Sequence, residues 1–309
     1  MQAYPRIVFL GTPDFAVASL EALLAAGFNV VGVVTAPDKP AGRGMQLQQS
    51  AVKQFAVRHN LPVLQPEKLK NPDFLAALKA LKADIQVVVA FRMLPEIVWN
   101  MPPLGTINVH GSLLPQYRGA APINWAIING ETQTGVTTFQ LQHAIDTGNI
   151  LLRASLPIGP DTTAGELHDA MKVLGATTLV QTIQGILNGS IQPQPQHALA
   201  DESTLKHAPK IFTETCKINW EQSAVAIHNL IRGLSPFPGA FTTLQGKTCK
   251  IFRSSPILAA HHLPQGTFDT DGKTYLRFAC TDGFIEVLEL QLEGKKKLPV
   301  TAFLTGFRM

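Results

Sequence analysis

The chain has 309 residues, 45% of them hydrophobic, which is enough to bury more than one core and favours two domains. Its apolar runs stay shorter than the ~20 residues that span a bilayer, and neither a basic leader nor a cleavage site precedes the first strand. We therefore expect a cytoplasmic protein without membrane contact. The three cysteines are far apart, which excludes a disulfide framework and a zinc site and predicts buried free thiols.

The net charge of +4 is unevenly placed. Lys and Arg number 14 against 14 Asp and Glu as far as Lys206, and 12 against 8 beyond it. A basic excess of this kind permits a polyanionic partner such as RNA. A mildly basic soluble domain explains the same count equally well.

The first part of the chain alternates short apolar runs with helical periodicity. Strands are predicted at residues 6–11, 29–35, 84–91, 106–110 and 136–141, and helices at 15–26, 51–59, 74–81 and 163–187. Residues 84–91 form the most apolar β-branched run, which predicts the central strand. Because nearly continuous apolar strands alternate with helices, the pattern indicates a Rossmann-like, mostly parallel sheet covered on both faces.

The composition and the periodicity of the sequence change after Gly189. Residues 190–208 are rich in Pro, Gln, Ala and His without a clear period, which predicts a linker. Residues 209–309 contain a helix near 224–234 and then short alternating segments broken by Gly, Asp and Pro. This pattern predicts a small OB-like β-barrel domain, so the expected α/β fold has a first domain at 1–189 and a second at 209–309.

A dense polar cluster follows the predicted strand at residues 106–110. Asn108 and His110 are two residues apart, so both side chains leave the same face of the strand. The carboxyl ends of parallel strands border the crevice in which open α/β sheets bind ligands. The pair therefore predicts one wall of a substrate site, although Asn108 closing a strand end and His110 as a core imidazole are alternative interpretations.

Asp146 follows the strand at 136–141, in a turn that ends at Gly148. Its carboxylate is placed to reach His110 across the crevice and hold the imidazole in one tautomer. The alternative is that Asp146 caps a turn through its own backbone, as Asp commonly does. Ser112 lacks the strand-to-helix elbow of serine hydrolases. An amide, an imidazole and a carboxylate without a nucleophile suit direct acyl transfer to an amine, with Asn108 donating to the developing oxyanion and His110 moving the proton.

Four segments carry a family resemblance: FLGTPDFA (9–16), APDKPAGRG (36–44), INVHGSLLPQYRGAAPI (107–123) and IDTGNIL (145–151). In order and spacing they resemble the folate-dependent formyltransferase family. The first two are similar to its tRNA-directed members, which formylate the methionine carried by initiator tRNA. The resemblance extends through most of the first domain.

The resemblance implies roles for particular residues. Asn108, His110 and Asp146 take the catalytic positions, without a metal. The 10-formyltetrahydrofolate site is implied to be lined by Ser112, Leu113, Leu114 and Pro115. The long loop from residue 36 to residue 50 is implied to contact the tRNA acceptor end through Lys39 and Arg43. The C-terminal domain is implied to bind tRNA. We expect the enzyme to be a monomer. The stretch 90–95 departs from the family form because it is one residue shorter and has Arg92 in place of a glycine.

Two other functions remain open from the sequence. A formyltransferase acting on a small amine, such as glycinamide ribonucleotide or a nucleotide-linked amino sugar, would use the same three residues without tRNA. A non-catalytic tRNA-binding protein could keep the fold without the reaction. The extra barrel and the Pro-Ala-Gly-Arg-Gly loop favour the tRNA-directed enzyme.

Overall fold

A computed structural model describes residues 5–41 and 46–306 of the chain. The chain divides into two compact units. The first comprises residues up to Arg118, Gly135–Leu156 and Asp169–Lys206, and the second comprises Gly119–Thr134, Pro157–His168 and the residues from His207 onward. Among the described residues, no helix combines the length and the apolar composition needed to cross a bilayer.

Strands and helices alternate through the first part of the chain. The strands are β1 Arg6–Gly11, β2 Asn29–Val34, β3 Lys39–Ala41, β4 Gln46–Gln48, β5 Val63–Leu64, β6 Ile85–Val89, β7 Thr106–His110, β8 Arg118–Gly119, β9 Gln133–Gln140 and β10 Ile150–Pro157. The helices are α1 Asp14–Ala25, α2 Ala51–Arg58, α3 Pro72–Ala80, α4 Glu96–Trp99, α5 Pro122–Ile128 and α6 Ala164–Leu187. The elements predicted from periodicity are confirmed to within a few residues at their ends.

Seven of these strands form one sheet in the order β10-β9-β7-β6-β1-β2-β5. Strands β5, β2, β1, β6 and β7 run parallel, and β9 is antiparallel to β7. The predicted central strand is confirmed, because β6 occupies the middle of the order and every one of its residues is buried. Side chains buried on both faces are expected where helices cover a parallel sheet. The carboxyl ends of β1, β2, β6 and β7 consequently lie along one edge.

Two features of this part of the chain were not predicted from the sequence. The long loop after β2 contains a hairpin, in which β3 pairs antiparallel with β4. Strand β10 extends the sheet beyond β9. After its first two residues, β10 alternates between half-buried and exposed positions. It therefore lacks the continuous apolar run that predicts the central strands.

The second unit is built on an antiparallel sheet. Its elements are β11 His207–Ala208, α7 Ala224–Gly233, β12 Ala240–Leu244, β13 Lys247–Leu258, β14 Phe268–Thr270, β15 Leu276–Cys280, β16 Gly283–Leu292, β17 Leu298–Pro299 and α8 Val300–Thr305. The sheet order is β12-β13-β16-β15-β14, with β17 added to β16. The register of β13 against β16 shifts beside Arg253, and such irregularities bend a strand, as the predicted OB-like organisation requires.

The core of this sheet contains Cys216, Cys249 and Cys280. All three are buried free thiols, as predicted. Burial raises the pKa of Cys249 to about 12, because the low-polarity interior disfavours the thiolate. These cysteines are therefore packing residues without nucleophilic character.

A capping box begins helix α6, as its sequence predicts. The Glu166 carboxylate accepts hydrogen bonds from the Thr163 backbone N–H and hydroxyl, both at 2.8 Å, and Thr163 Oγ1 accepts from the Glu166 N–H at 3.3 Å. Arg253 Nη2 donates to the same carboxylate at 2.5 Å. The backbone donor of Thr163 and then Arg253 lower the pKa of Glu166 from 4.5 to about 2.

This cap predicts a pH-dependent stability difference. We expect Glu166→Gln to lower the free energy of unfolding by about 0.5 to 1 kcal/mol at pH 7, because the carboxylate charge at the helix N-terminus is lost while Gln still accepts the cap hydrogen bonds. The side chain is half exposed, so solvent screens the pair with Arg253 and that pair adds little to the difference. Because the folded-state pKa is depressed, the contribution is complete above pH 4.5 and is lost as the pH falls toward 2.

The measurement is the difference in thermal midpoint between wild type and Glu166→Gln from pH 7 downward. We expect a constant difference to about pH 5 and a narrowing gap below it. The exposed Glu221 serves as the matched control, and Glu221→Gln should change the midpoint little at any pH. A gap that stays constant down to pH 3 would show that the Glu166 charge contributes nothing.

Candidate active site

Strand β7 presents the two predicted polar residues at its carboxyl end. Asn108 lies opposite Phe139 of β9, and His110, the last residue of the strand, lies opposite Thr137. As alternate residues, Asn108 and His110 share one face of the strand. Among the described residues none forms a hydrogen bond with the Asn108 carboxamide, so its N–H groups remain available to a bound oxygen atom.

His110 is 7% exposed, and an oxygen atom of the protein faces each of its ring nitrogens. Its Nε2 lies 2.9 Å from the carbonyl oxygen of Tyr117, and its Nδ1 lies 3.8 Å from Asp146 Oδ2. A carbonyl only accepts, so Nε2 carries a hydrogen and Nδ1 of the neutral ring is left with its lone pair toward Asp146. The ring is therefore arranged to accept and return a proton.

Asp146 belongs to the loop between β9 and β10. Its backbone is left-handed, with a φ of 55°, which Asp tolerates better than most residues. A Cβ on Gly148 would lie only 1.6 Å from the carbonyl oxygen of Gln140, so the loop can close this tightly only with glycine there. The Asp-x-Gly pattern thus turns the chain so that the Asp146 carboxylate faces His110.

The segment Ser112–Pro115 continues directly from His110. Ser112 and Leu114 are 0% exposed, Pro115 is buried and Leu113 is half-buried. Ser112 Oγ donates to the Gln116 carbonyl at 2.6 Å, and Leu114 packs with Phe139 and Ile150. The two side chains are committed to the protein interior, so a ligand would meet this segment mainly through its backbone and Leu113.

Thr137 fastens that segment to the sheet. Its hydroxyl donates to the Ser112 carbonyl at 2.7 Å and accepts from the Leu114 N–H at 3.0 Å. Sequence reasoning missed this residue. The available signal was a pair of hydroxyl side chains, Thr137 and Thr138, within the predicted strand at 136–141; both are fully buried in the structure.

A cavity of about 610 Å³ lies at the same edge of the sheet. It is lined by residues that follow three neighbouring strands: Thr12 and Pro13 after β1, Ala36–Lys39 after β2, and Ala90–Arg92 after β6, together with Glu67. Because β7 is the parallel neighbour of β6, the cavity opens beside the strand that carries Asn108 and His110. Lys39 is thus part of the wall. Arg43, the other predicted tRNA contact, lies outside the described residues.

The base of the long loop is braced by charge. Lys53 Nζ lies 2.5 Å from Asp38 Oδ2, and Gln65 Nε2 donates to Asp38 Oδ1 at 2.7 Å. The hydrogen bond from Lys53, followed by that from Gln65, lowers the pKa of Asp38. Thr35 Oγ1 and Ser50 Oγ, at the two ends of the loop, are 2.7 Å apart. These contacts therefore join the two ends of the loop that contains β3 and β4.

Arg92 links two loops of the cavity wall. Its guanidinium donates to the carbonyl of Glu67 at 2.8 Å and to the carbonyl of Pro66. It also lies over the Phe91 ring, 5.7 Å from the centroid. The stretch 90–95 is thus attached to the loop after β5 by hydrogen bonds from the Arg92 side chain, which a glycine could not make.

In the part of the chain that the structure describes, no group of three or more His, Cys, Asp or Glu side chains is arranged to hold a metal ion. The polar groups that do converge are the His110 ring and the Asp146 carboxylate, with the Asn108 amide on the same strand face as His110. An amide donor, an imidazole and a carboxylate at the carboxyl edge of a parallel sheet suit an enzyme that transfers an acyl group directly.

Comparison with known proteins identifies the family. Residues 5–183 match the model of the formyl transferase family, and residues 210–308 match the model of the formyl transferase C-terminal domain. These two matches account for most of the chain. The chain therefore belongs to the formyl transferase family.

Several similar curated proteins carry the name methionyl-tRNA formyltransferase. A methionyl-tRNA formyltransferase of Bacteroides thetaiotaomicron is 54% identical over 98% of this chain and 96% of its own, and one of Bacteroides fragilis is 52% identical over 98% and 95%. Among solved structures, WlaRD, a sugar 3N-formyl transferase crystallised with dTDP and 5-N-formyl-THF, has a TM-score of 0.68 at 24% identity and covers 96% of this chain and 100% of its own. At that identity the likeness concerns the fold alone.

Proposed function

We propose that this chain transfers the formyl group of 10-formyltetrahydrofolate to the amino group of methionine on initiator tRNA, as a monomer in the cytoplasm. The observation that carries the proposal is the approach of Asp146 to His110 beside the Asn108 amide. Full-length relatives at more than 50% identity, all named methionyl-tRNA formyltransferase, supply the acceptor.

The reaction divides among the three side chains. The acceptor amine forms a bond to the formyl carbon, the bond from that carbon to the donor nitrogen breaks, and one proton passes from the amine to the donor nitrogen. Asn108 donates to the oxygen that becomes negative in between, and such a donor is typically worth about 3 kcal/mol in the transition state. His110 moves the proton, and Asp146 orients and compensates the charged ring.

The donor is proposed to lie against the segment Ser112–Pro115. The Thr137 hydroxyl donates to the Ser112 carbonyl and accepts from the Leu114 N–H. These two hydrogen bonds fix the backbone of the segment. A fixed backbone suits a rigid pterin, because a preorganised wall loses little entropy when the ligand binds. The side chain of Leu113, half-buried, is the part of the segment that offers apolar contact.

The acceptor is proposed to approach from the side of the cavity that lies beside β6. Lys39 lines the cavity beside β6, and Arg43 lies four residues further along the same loop. Arg is suited to phosphate because its planar fork donates two hydrogen bonds at once. The excess of 12 basic over 8 acidic residues beyond Lys206 supports a second tRNA contact in the domain at 209–309.

An acceptor assay tests the proposal directly. The purified chain is given 10-formyltetrahydrofolate together with either initiator Met-tRNA, glycinamide ribonucleotide or a nucleotide-linked amino sugar. We expect formylation of Met-tRNA alone. Formylation of a small amine but not of Met-tRNA would replace the proposed acceptor, and tRNA binding without transfer to any acceptor would indicate a non-catalytic protein.

The loop contact has its own prediction. We expect Arg43→Ala to raise the KM for Met-tRNA about 10-fold, because one charge-assisted contact to phosphate is lost, while the affinity for a formyl-folate changes less than twofold. Arg58→Ala is the matched control, since Arg58 is an exposed arginine on α2 outside the loop. Equal damage to tRNA and folate binding would mean that the loop is not a tRNA contact.

A further inference from the structure

Gln196 occupies a position that the reaction just described does not use. It lies in the segment 190–208, which the sequence predicts to be a linker, yet it is 2% exposed. Its side-chain amide forms four hydrogen bonds. Oε1 accepts from Nε and Nη2 of Arg118 at 3.0 and 2.9 Å, and Nε2 donates to the carbonyl oxygens of Asp146 and Gly148, both at 2.8 Å.

The orientation of this amide follows from its partners. A guanidinium only donates and a carbonyl only accepts, so Oε1 faces Arg118 and the NH₂ group faces the loop. The backbone on both sides is also held. Gln194 and Ile150 exchange two backbone hydrogen bonds of 2.8 Å, which attaches the segment to the start of β10. All the hydrogen-bonding capacity of the amide is used within the first unit.

The two accepting carbonyls belong to the turn that aims the catalytic carboxylate. Asp146 is in the left-handed region, which costs a non-glycine residue free energy and persists only where surrounding contacts maintain it. Gln196 supplies two of those contacts at the residue itself and two positions later. Release of either carbonyl would let the turn relax and move Asp146 Oδ2 away from the 3.8 Å approach to His110.

We infer that Gln196 is a positioning residue, which acts through the backbone of Asp146 to keep its carboxylate facing His110, with Arg118 fixing the amide from behind. This inference rests on the proposed function, in which Asp146 serves the transfer step. Because the Gln196 amide is fully occupied by Arg118 and the two loop carbonyls, its removal should affect the turnover rate and leave substrate binding in place.

Two substitutions separate the contacts of the amide. Gln196→Ala removes all four hydrogen bonds. Gln196→Glu keeps the shape and the contact with Arg118, now as an ion pair, but places acceptor oxygens against the two carbonyls and so removes the hold on the loop. Gln194→Ala is the matched control, because Gln194 is an exposed glutamine in the same segment whose link to Ile150 is made by the backbone.

The experiment measures kcat and both KM values for transfer to Met-tRNA, and amide hydrogen exchange of the peptide spanning 141–150. We expect both Gln196 variants to lower kcat about 10- to 100-fold with KM changes below threefold, since small misplacements of a catalytic group cost this much. Exchange of the peptide should accelerate in both variants. Gln194→Ala should match wild type in every measurement.

Several results would overturn the inference: an unchanged kcat in either folded Gln196 variant, unchanged exchange at 141–150, or a rise in KM as large as the fall in kcat. If Gln196→Ala does not fold, Gln196→Glu decides the matter, because it retains the Arg118 contact. If wild type itself formylates no Met-tRNA, the proposed function fails on its own, while the exchange measurement still reports whether Gln196 holds the loop.

Discussion

Replacement of His110 by alanine should lower kcat for formyl transfer by 10² to 10⁴, the range that a positioned acid-base group contributes. The ring is anchored at Nε2 by the Tyr117 carbonyl and faces Asp146 at Nδ1, so no nearby group replaces it when it is removed. The KM for each substrate should change only a fewfold, because the ring acts on the proton in transit. Steady-state rates at saturating Met-tRNA and 10-formyltetrahydrofolate measure the loss.

A double variant extends this test to Asp146. If the carboxylate acts through the imidazole, Asp146→Asn should cost activity in wild type but little more in His110→Ala, so the two losses will not add. His143→Ala is the control, since His143 is an exposed histidine in the same loop, 77% exposed at its side chain, and should keep full activity. Fully additive losses would separate Asp146 from His110.

Replacement of Asn108 by alanine should lower kcat by about 10² to 10³, the cost of removing one donor from an oxyanion site. The amide has no hydrogen-bond partner among the described residues, so its N–H groups are free to strengthen their bond to the substrate oxygen only as charge develops there. The affinity for the ground-state substrates should therefore stay within a fewfold of wild type. Rates and KM values for both substrates decide this.

Asn108→Asp provides a sharper version of the same test. It keeps the size of the side chain but replaces the donor by an acceptor, so the loss should be at least as large as in Asn108→Ala. Asn71→Ala is the control, because Asn71 caps α3 by accepting from the Asp73 N–H at 2.8 Å and its loss should reduce stability without lowering kcat. An Asn108→Asp variant with more than about a tenth of wild-type kcat would contradict the assigned role.

Different substitutions in the site should thus leave different signatures. His110 and Asn108 are proposed to act on the reacting atoms, so their loss should reduce kcat directly. Gln196 acts indirectly, through the carbonyls of Asp146 and Gly148, so its replacement should lower kcat by a smaller factor. Arg43 is proposed to bind the acceptor, so its loss should appear in KM. Together the variants separate chemistry, positioning and acceptor binding within one enzyme.

The local geometry around Asn108 and His110 was predictable because it depends on two short-range regularities. Side chains alternate along a strand, so residues two apart share a face, and the carboxyl ends of parallel strands meet at one edge. The apolar runs that predict β1, β6 and β7 therefore also place the polar residues that follow them. The same reasoning predicted that Asp146 can reach His110, and in the structure Asp146 Oδ2 lies 3.8 Å from His110 Nδ1.

Three supports of the site were beyond such reasoning. Tyr117 contributes a backbone carbonyl, which every residue has, so its type carried no signal. Thr137 bonds a loop 25 residues earlier in the chain, and Gln196 reaches a loop 50 residues earlier. Each contact depends on where distant segments pack, and a Gln among other Gln and Pro residues in a polar stretch does not reveal that it is buried.

The amino-acid sequence alone thus determined the alternation of strands and helices, the central strand, the capping box of α6 and the shared face of Asn108 and His110, because each follows from periodicity or from residues a few positions apart. The tertiary structure decided the tautomer of His110, the backbone contacts at Ser112 and Leu114, and the burial of Gln196 against the Asp146 turn. These depend on hydrogen-bond partners that only folding brings together, at distances and angles that no local pattern encodes.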